Sequence, residues 1–203
     1  HHFTRTSWGR FVCHVSLSTI HGGDRSQDKV LVATPPEGLD RGAIAMSAQV
    51  NLGDPAEPEM IQRMARITTV SHEKSIPVLG MFYPRGRNLI LDDSDSTSGV
   101  AHAARLAWEL GCNVVKVPWT GSEDSFRIVT SSVPIPVLVS GGPKDDDFGR
   151  VLDLVEKSIN AGGSGVCMGR NVFSSEDPAS RVRALRAIVH DGANAEEASR
   201  HLR

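Results

Sequence analysis

Tyrosine occurs once in this chain, at Tyr83, and aromatic residues make up only 5% of its 203 positions. Nowhere does an apolar run reach the roughly 18 residues of a membrane-spanning helix, so the sequence offers no span. Positive charge is not in surplus either. The 22 Lys and Arg against 24 Asp and Glu leave a formal charge of -2, which argues against a nucleic-acid face. Cysteine appears three times, as Cys13, Cys112 and Cys167. The three lie far apart, two of them inside apolar runs, and no disulfide or zinc spacing is present. They read as reduced structural thiols of a cytoplasmic protein. His, Cys, Asp and Glu never cluster at metal-ligand spacing, so the chemistry is expected to need neither metal nor cofactor. A signal-peptide pattern and an initiating Met are also missing. His1 and His2 read as tag remnants, with a start lost upstream as the other reading. What is present is ordinary for a globular protein with a substantial core: 39% hydrophobic and 23% charged residues.

Short apolar runs alternate with polar, helix-compatible stretches. The runs are "FVCHVSL", "AIAMSAQV", "IPVLGMF", "NVVKVPW", "IPVLVSGG" and "GVCMGRN". Between them, "PAEPEMIQRMARITTVSHEKS" carries Met60, Ile61, Met64, Ile67 and Val70 at helical spacing. "SGVAHAARLAWELG" ends on Gly111, a helix stop. "DDDFGRVLDLVEKSINAGG" opens on acids and closes on glycines, and "DPASRVRALRAIVHDG" follows the same logic. Repeated strand–helix units predict parallel α/β architecture. No low-complexity linker divides the chain, so residues 1–203 read as one domain. Residues 85–98 form a polar excursion without a clear period, expected to loop over one face. Six units fall short of an eightfold barrel, and an open doubly wound sheet also accepts six strands. The run ends favour the barrel. "NLGD", "YPRGR", "KVPWTG", "SGGPK" and "GRNVF" are polar or glycine-rich, as expected where strand C-termini converge on one face.

Two of those ends suit phosphate. Ser140, Gly141 and Gly142 follow one strand, and Gly169 and Arg170 follow the next. Glycines let backbone amides approach an anion, and an arginine adds a fork of donors. A single such motif reads equally well as a tight turn; two in succession point to an anion site. Lys116 stands inside the apolar run "VVKV". A lysine that snorkels to solvent is one reading. The other is a nucleophile, since an amine held in an apolar wall is favoured in its neutral form and can add to a carbonyl. Tyr83, at the end of "VLGMFYPRG", is a candidate to move protons, although a structural tyrosine at the rim fits the pattern too.

Taken together, "VNLGDPAEPEMI", "PVLGMFYPRG", "NVVKVPWTGSEDSF", "PVLVSGGPK" and "GGSGVCMGRNVF" resemble one family. The chain is similar to the archaeal-type class I fructose-bisphosphate aldolases and 2-amino-3,7-dideoxy-D-threo-hept-6-ulosonate synthases, DeoC-like aldolases, from about residue 8 to residue 187. The resemblance implies a (β/α)8 TIM barrel and a lysine Schiff base with a phosphorylated carbonyl substrate. It implies Lys116 as the Schiff-base lysine and Tyr83 as proton donor or acceptor. It places phosphate near Ser140, Gly141, Gly142, Gly169 and Arg170, and substrate against Pro84 and Arg85. "CHVSLSTIHGGDRSQDK" and "AMSAQVNLGDPAEPEM" resemble the synthase branch, which transfers a three-carbon ketone unit to aspartate semialdehyde in aromatic biosynthesis. Both branches stay open. The expected partners are a phosphorylated sugar or ketone, neither nucleic acid nor membrane, and, at full length, further copies of the chain in a homo-oligomer.

One family element is missing. A "DHG"-like aspartate motif belongs to the first strands, and the first run here resembles the third strand. The expectation is a barrel lacking its first two β/α units, with six parallel strands and residues 11–17 forming an unprotected edge. An inactive truncated fragment, a non-catalytic phosphate-binding barrel relative and a structural subunit are the alternatives. Elsewhere packing readings prevail: Trp8, Trp108 and Trp119 as packing residues, with Trp119 lining the site as its other reading, His14 as a satisfied inward histidine, and Lys144 either steering phosphate or solvated.

Overall fold

In chain order, β1 (Val12–His14) is followed by a small antiparallel ribbon of β2 (Ser16–Leu17) and β3 (Val30–Leu31), then α1 (Pro35–Asp40) and β4 (Ala45–Leu52). Next come α2 (Glu57–Glu73), β5 (Val78–Pro84), α3 (Thr97–Glu109), β6 (Val114–Val117), α4 (Glu123–Ser131) and β7 (Val137–Ser140). The chain closes with α5 (Phe148–Asn160), β8 (Gly165–Cys167), α6 (Arg170–Phe173), α7 (Pro178–Asp191) and α8 (Ala195–Ser199). The computed structural model describes residues 10–90 and 95–202. His1, His2 and Trp8 lie outside the described residues, as do residues 91–94 of the polar excursion.

Six strands form one parallel sheet in the order β1-β4-β5-β6-β7-β8, each expected run supplying one strand. Parallel strands need crossovers, and α2, α3, α4 and α5 supply them. The helix ends are written in the sequence. Asp147 caps α5 by accepting from the Gly149 N–H, and Asp177 caps α7 by accepting from the Ser180 N–H. Gly192 ends α7 in the left-handed conformation at φ 74°.

Side chains alternate across each strand. On the outer face Met46, Ala48, Val50, Val78, Phe82, Val115, Val117, Val137 and Val139 are buried against the helices, together with Met60, Met64 and Ile67 of α2. The opposite face carries Ser47, Gln49 and Asn51 of β4, Tyr83 of β5, Lys116 of β6 and Ser140 of β7. That face is concave. The sheet curls so far that Val12 at one edge and Gly165 and Cys167 at the other line a single cleft of about 890 Å3. The described residues form a partial barrel of six strands, in the TIM-barrel class.

Residues 11–17 do not make one strand. Val15 is wholly buried, its N–H donates to Ser47 and its carbonyl accepts from Val32. Beyond it the chain leaves the sheet, and Ser16 and Leu17 pair with Leu31 and Val30. The edge strand is thus only Val12–His14, paired among the described residues with β4 alone.

Candidate active site

Lys116 is the penultimate residue of β6, registered against Met81 of β5 and Leu138 of β7. Val115 and Val117 are wholly buried on the helix side, so the pleat sends Lys116 into the concave face. Its Nζ stands 6.0 Å from the centroid of the Tyr83 ring, and the Arg85 guanidinium stacks on the same ring at 3.9 Å. These groups, with Ser140, Gly141, Gly142, Gly169 and Arg170, line one cavity of about 250 Å3. All come from the C-terminal ends of strands or the loops that follow, where parallel barrels assemble their sites. Of the catalytic and substrate-binding residues that the resemblance implies, Pro84 alone does not line it; it is the last residue of β5.

The electrostatics are one-sided. Lys116, Arg85 and Arg170 line the cavity, and among the described residues no carboxylate does. Burial is the main cause that lowers the pKa of Arg85; Tyr83 opposes it, and the like charge of Arg170 adds to the fall. Two guanidiniums facing one cavity make a place where an anion is stabilised.

The glycines have definite tasks. Gly142 adopts φ +62°, and a Cβ at Gly141 would sit 2.9 Å from Met168. Arg170 donates to the Gly142 carbonyl at 3.1 Å. Asn171, which is buried, ties the two loops together. Its Nδ2 donates to the carbonyls of Gly141 (2.6 Å) and Pro143 (3.0 Å), and its Oδ1 accepts from Asp145 N–H (2.8 Å). Its own carbonyl accepts from Arg181 at 2.6 Å. On the other side Arg85 and Gly86 both donate backbone N–H bonds to Leu52, and Asn88 donates to Gly53. Here a Cβ at Gly86 would lie 1.8 Å from the Gly53 backbone, so the YPRG glycine lets two loops touch.

Several participants were not picked out by sequence. Asn171 stood in the "GRN" element without a role, and Cys167 and Met168 line the cavity as part of a run that reads as plain strand. His14 projects from the edge strand into the concave face and bonds Ser47 Oγ (2.9 Å) and Ser16 Oγ (3.3 Å), as a satisfied inward histidine would. Burial of its ring, then the charges of Lys29 and Lys116, lowers its pKa. Trp119 packs on Phe126 at 5.0 Å between centroids and borders a neighbouring cavity with Ser140 and Gly142. Lys144 faces Asp146 at 3.8 Å and does not line the site. Burial pushes the Cys112 thiol up to about 12, as for an inert core cysteine.

The DeoC/LacD family aldolase profile matches residues 9–175. The chain belongs to this aldolase family. Among curated relatives of the aldolase, the 2-amino-4,5-dihydroxy-6-oxo-7-(phosphonooxy)heptanoate synthase of Streptomyces griseus is 39% identical over 189 residues, covering 93% of this chain and 67% of that protein. The 2-amino-3,7-dideoxy-D-threo-hept-6-ulosonate synthase 1 of Archaeoglobus fulgidus is 38% identical over 186 residues, covering 92% and 68%. Among solved structures, an archaeal fructose 1,6-bisphosphate aldolase superposes with a TM-score of 0.83 at 29% identity, over 90% of this chain and 72% of that one. Another, with its catalytic Lys covalently bound to the carbinolamine intermediate of the substrate, gives 0.81 at 28% identity, over 89% and 71%.

Proposed function

We propose that this aldolase joins a phosphorylated three-carbon ketone to an aldehyde through a Schiff base on Lys116. The observation that carries the reading is the meeting of Lys116, Tyr83, two arginines and the glycine loops in one cavity. The phosphate would rest on Ser140, the backbone amides of Gly141, Gly142 and Gly169, and the Arg170 guanidinium. Arg85 flanks the substrate chain, and Pro84, the last residue of β5, carries it there. The neutral Lys116 amine adds to the ketone carbon, and the carbonyl oxygen takes a proton to give a carbinolamine. Loss of water leaves an iminium. The iminium accepts the electron pair released when the neighbouring carbon loses its proton, giving an enamine. The enamine carbon attacks the aldehyde carbon, whose oxygen takes a proton. Water then cleaves the imine and frees product and Lys116. Tyr83 is the residue assigned to the proton movements at substrate carbon and oxygen.

The synthase relatives favour one acceptor. The product named for the Streptomyces griseus protein divides, across its two hydroxylated carbons, into a three-carbon ketone phosphate and a four-carbon amino-acid aldehyde, aspartate semialdehyde. Condensation of dihydroxyacetone phosphate with aspartate semialdehyde is therefore the first expectation. Cleavage of fructose 1,6-bisphosphate is the second, favoured by the superposition on the archaeal aldolases. Assaying both with the purified protein separates them. Turnover of neither, with phosphate binding retained, would leave a non-catalytic phosphate-binding relative. Assembly as a cytoplasmic homo-oligomer belongs to the same reading and is tested by light scattering and cell fractionation.

A further inference from the structure

Behind the glycine loops lies a second cavity of about 420 Å3, within the roughly 300–1,000 Å3 of ligand pockets. Lys116, Tyr83, Arg85 and Arg170 do not line it, so it is not the catalytic cavity seen from another side. Its wall is apolar, with Pro118 and Trp119 from the loop after β6, Pro143 from the loop after β7, and Val151 and Leu154 from α5. Phe126 of α4 packs on the Trp119 ring at 5.0 Å between centroids and holds the indole in place. Two charged groups stand in this wall, one of each sign: Asp145 and Arg150. Both are incompletely used. Arg150 faces Asp147 at 3.6 Å and Asp145 at 3.9 Å, beyond hydrogen-bond length, and among the described residues it donates no hydrogen bond. Arg170 and Arg181, by contrast, each donate to a backbone carbonyl. The Asp145 backbone is fixed by its N–H, which donates to Asn171 Oδ1 at 2.8 Å. Its carboxylate Oδ1 accepts from the Asp147 N–H at 2.9 Å, and among the described residues Oδ2 accepts from nothing.

A zwitterion satisfies both groups at once. A plain carboxylate would meet Arg150 but bring its charge against Asp145, and a plain amine would meet Asp145 but face the guanidinium. An α-amino acid carries an ammonium for Asp145 Oδ2 and, one carbon away, a carboxylate for the Arg150 fork. An apolar side chain then lies against Trp119, Pro143 and Leu154, where leaving water is favourable. We propose that this cavity binds an α-amino acid with an apolar side chain, and that its occupant acts on the phosphate end of the catalytic cavity. The action follows from shared walls, since Ser140, Gly141, Gly142 and Asn171 border both cavities. It rests on the placement of phosphate proposed above; the amino-acid site itself does not.

Calorimetric titration with L-phenylalanine should show saturable binding. 3-Phenylpropionate, which lacks the amine, and phenethylamine, which lacks the carboxylate, should each bind about tenfold more weakly or worse, the size of one lost hydrogen bond to a charged group. L-Alanine, without the apolar group, should also bind more weakly. Arg150→Gln should weaken L-phenylalanine binding to the same extent and Arg150→Lys should restore part of it. Asp145→Asn keeps the backbone bond to Asn171 and should erase the advantage of L-phenylalanine over 3-phenylpropionate. Absence of saturable binding, analogues that bind as well as the amino acid, or undiminished binding in Arg150→Gln would overturn the site. Repeating the titration with saturating dihydroxyacetone phosphate should change the affinity, and the donor's affinity should change by the same factor. An amino-acid affinity indifferent to a donor that binds would overturn the action on the catalytic cavity. A donor that neither binds nor is trapped by borohydride would remove the Schiff-base reading and that action with it, and the amino-acid site would stand or fall on the first titration.

Discussion

At position 116 a lysine interrupts a valine run, and the pleat explains how both coexist: its neighbours Val115 and Val117 are buried on the helix side while the amine faces the cavity. Tyr83 makes the next residue-scale case. Tyr83→Phe keeps the ring that carries Arg85 and removes only the hydroxyl. If that hydroxyl moves protons, kcat should drop by about 10²–10⁴, while imine formation with the donor ketone stays detectable by trapping. A drop of less than tenfold would assign the tyrosine a packing role. Lys116, Tyr83 and the glycine loops were legible because each is an anomaly in its own run: a cation among valines, a lone tyrosine, paired glycines after a strand. Asn171 was not: its significance lies in partners 26 to 30 positions away, and no local pattern marks it.

Elements show the same division. The six sheet strands and the long helices α2, α3, α5 and α7 carry enough residues for a period to emerge. The two-residue strands β2 and β3 do not, and residues 11–17 alternate like a single strand although burial of Val15 splits them. Loop glycines were visible as letters, but their necessity is spatial. Gly86→Ala must push the loops after β4 and β5 apart, because its Cβ would meet backbone rather than a movable side chain. The variant should lose activity and melt several degrees lower in a thermal scan; wild-type behaviour would mean the two loops do not meet. Asn171→Ala strands the Asp145 N–H and two loop carbonyls, and should cost about 2–3 kcal/mol in urea denaturation. KM for the phosphorylated donor should rise with it. A change in stability with KM untouched would separate Asn171 from the phosphate loops.

For the whole molecule, the parallel sheet sets one prominent consequence: every strand delivers its C-terminal end to one side, so residues far apart in the chain form one cationic cavity. The same arrangement makes stability depend on pH in a fixed direction. His14 titrates at its ordinary value of 6.5 when unfolded and lower when folded. In the window just below pH 6.5 the unfolded chain therefore holds more protons, and stability falls as pH falls. Asp28 acts later. Arg63 and Arg25 hold its carboxyl below the ordinary 3.8, outweighing burial, which is the largest single effect and acts the other way. Its contribution is present above pH 3.8 and is lost as pH drops through the folded value. Urea midpoints taken between pH 7.5 and 5 should decline, and His14→Gln should flatten that decline; an unchanged slope would exclude His14 as its source. The account as a whole turns on one covalent bond. Treating the protein with dihydroxyacetone phosphate and borohydride, then mapping the adduct by peptide mass spectrometry, should place a single reduced ketone on Lys116, and Lys116→Met should carry none. An adduct that persists in Lys116→Met, or that maps to another lysine, would contradict it.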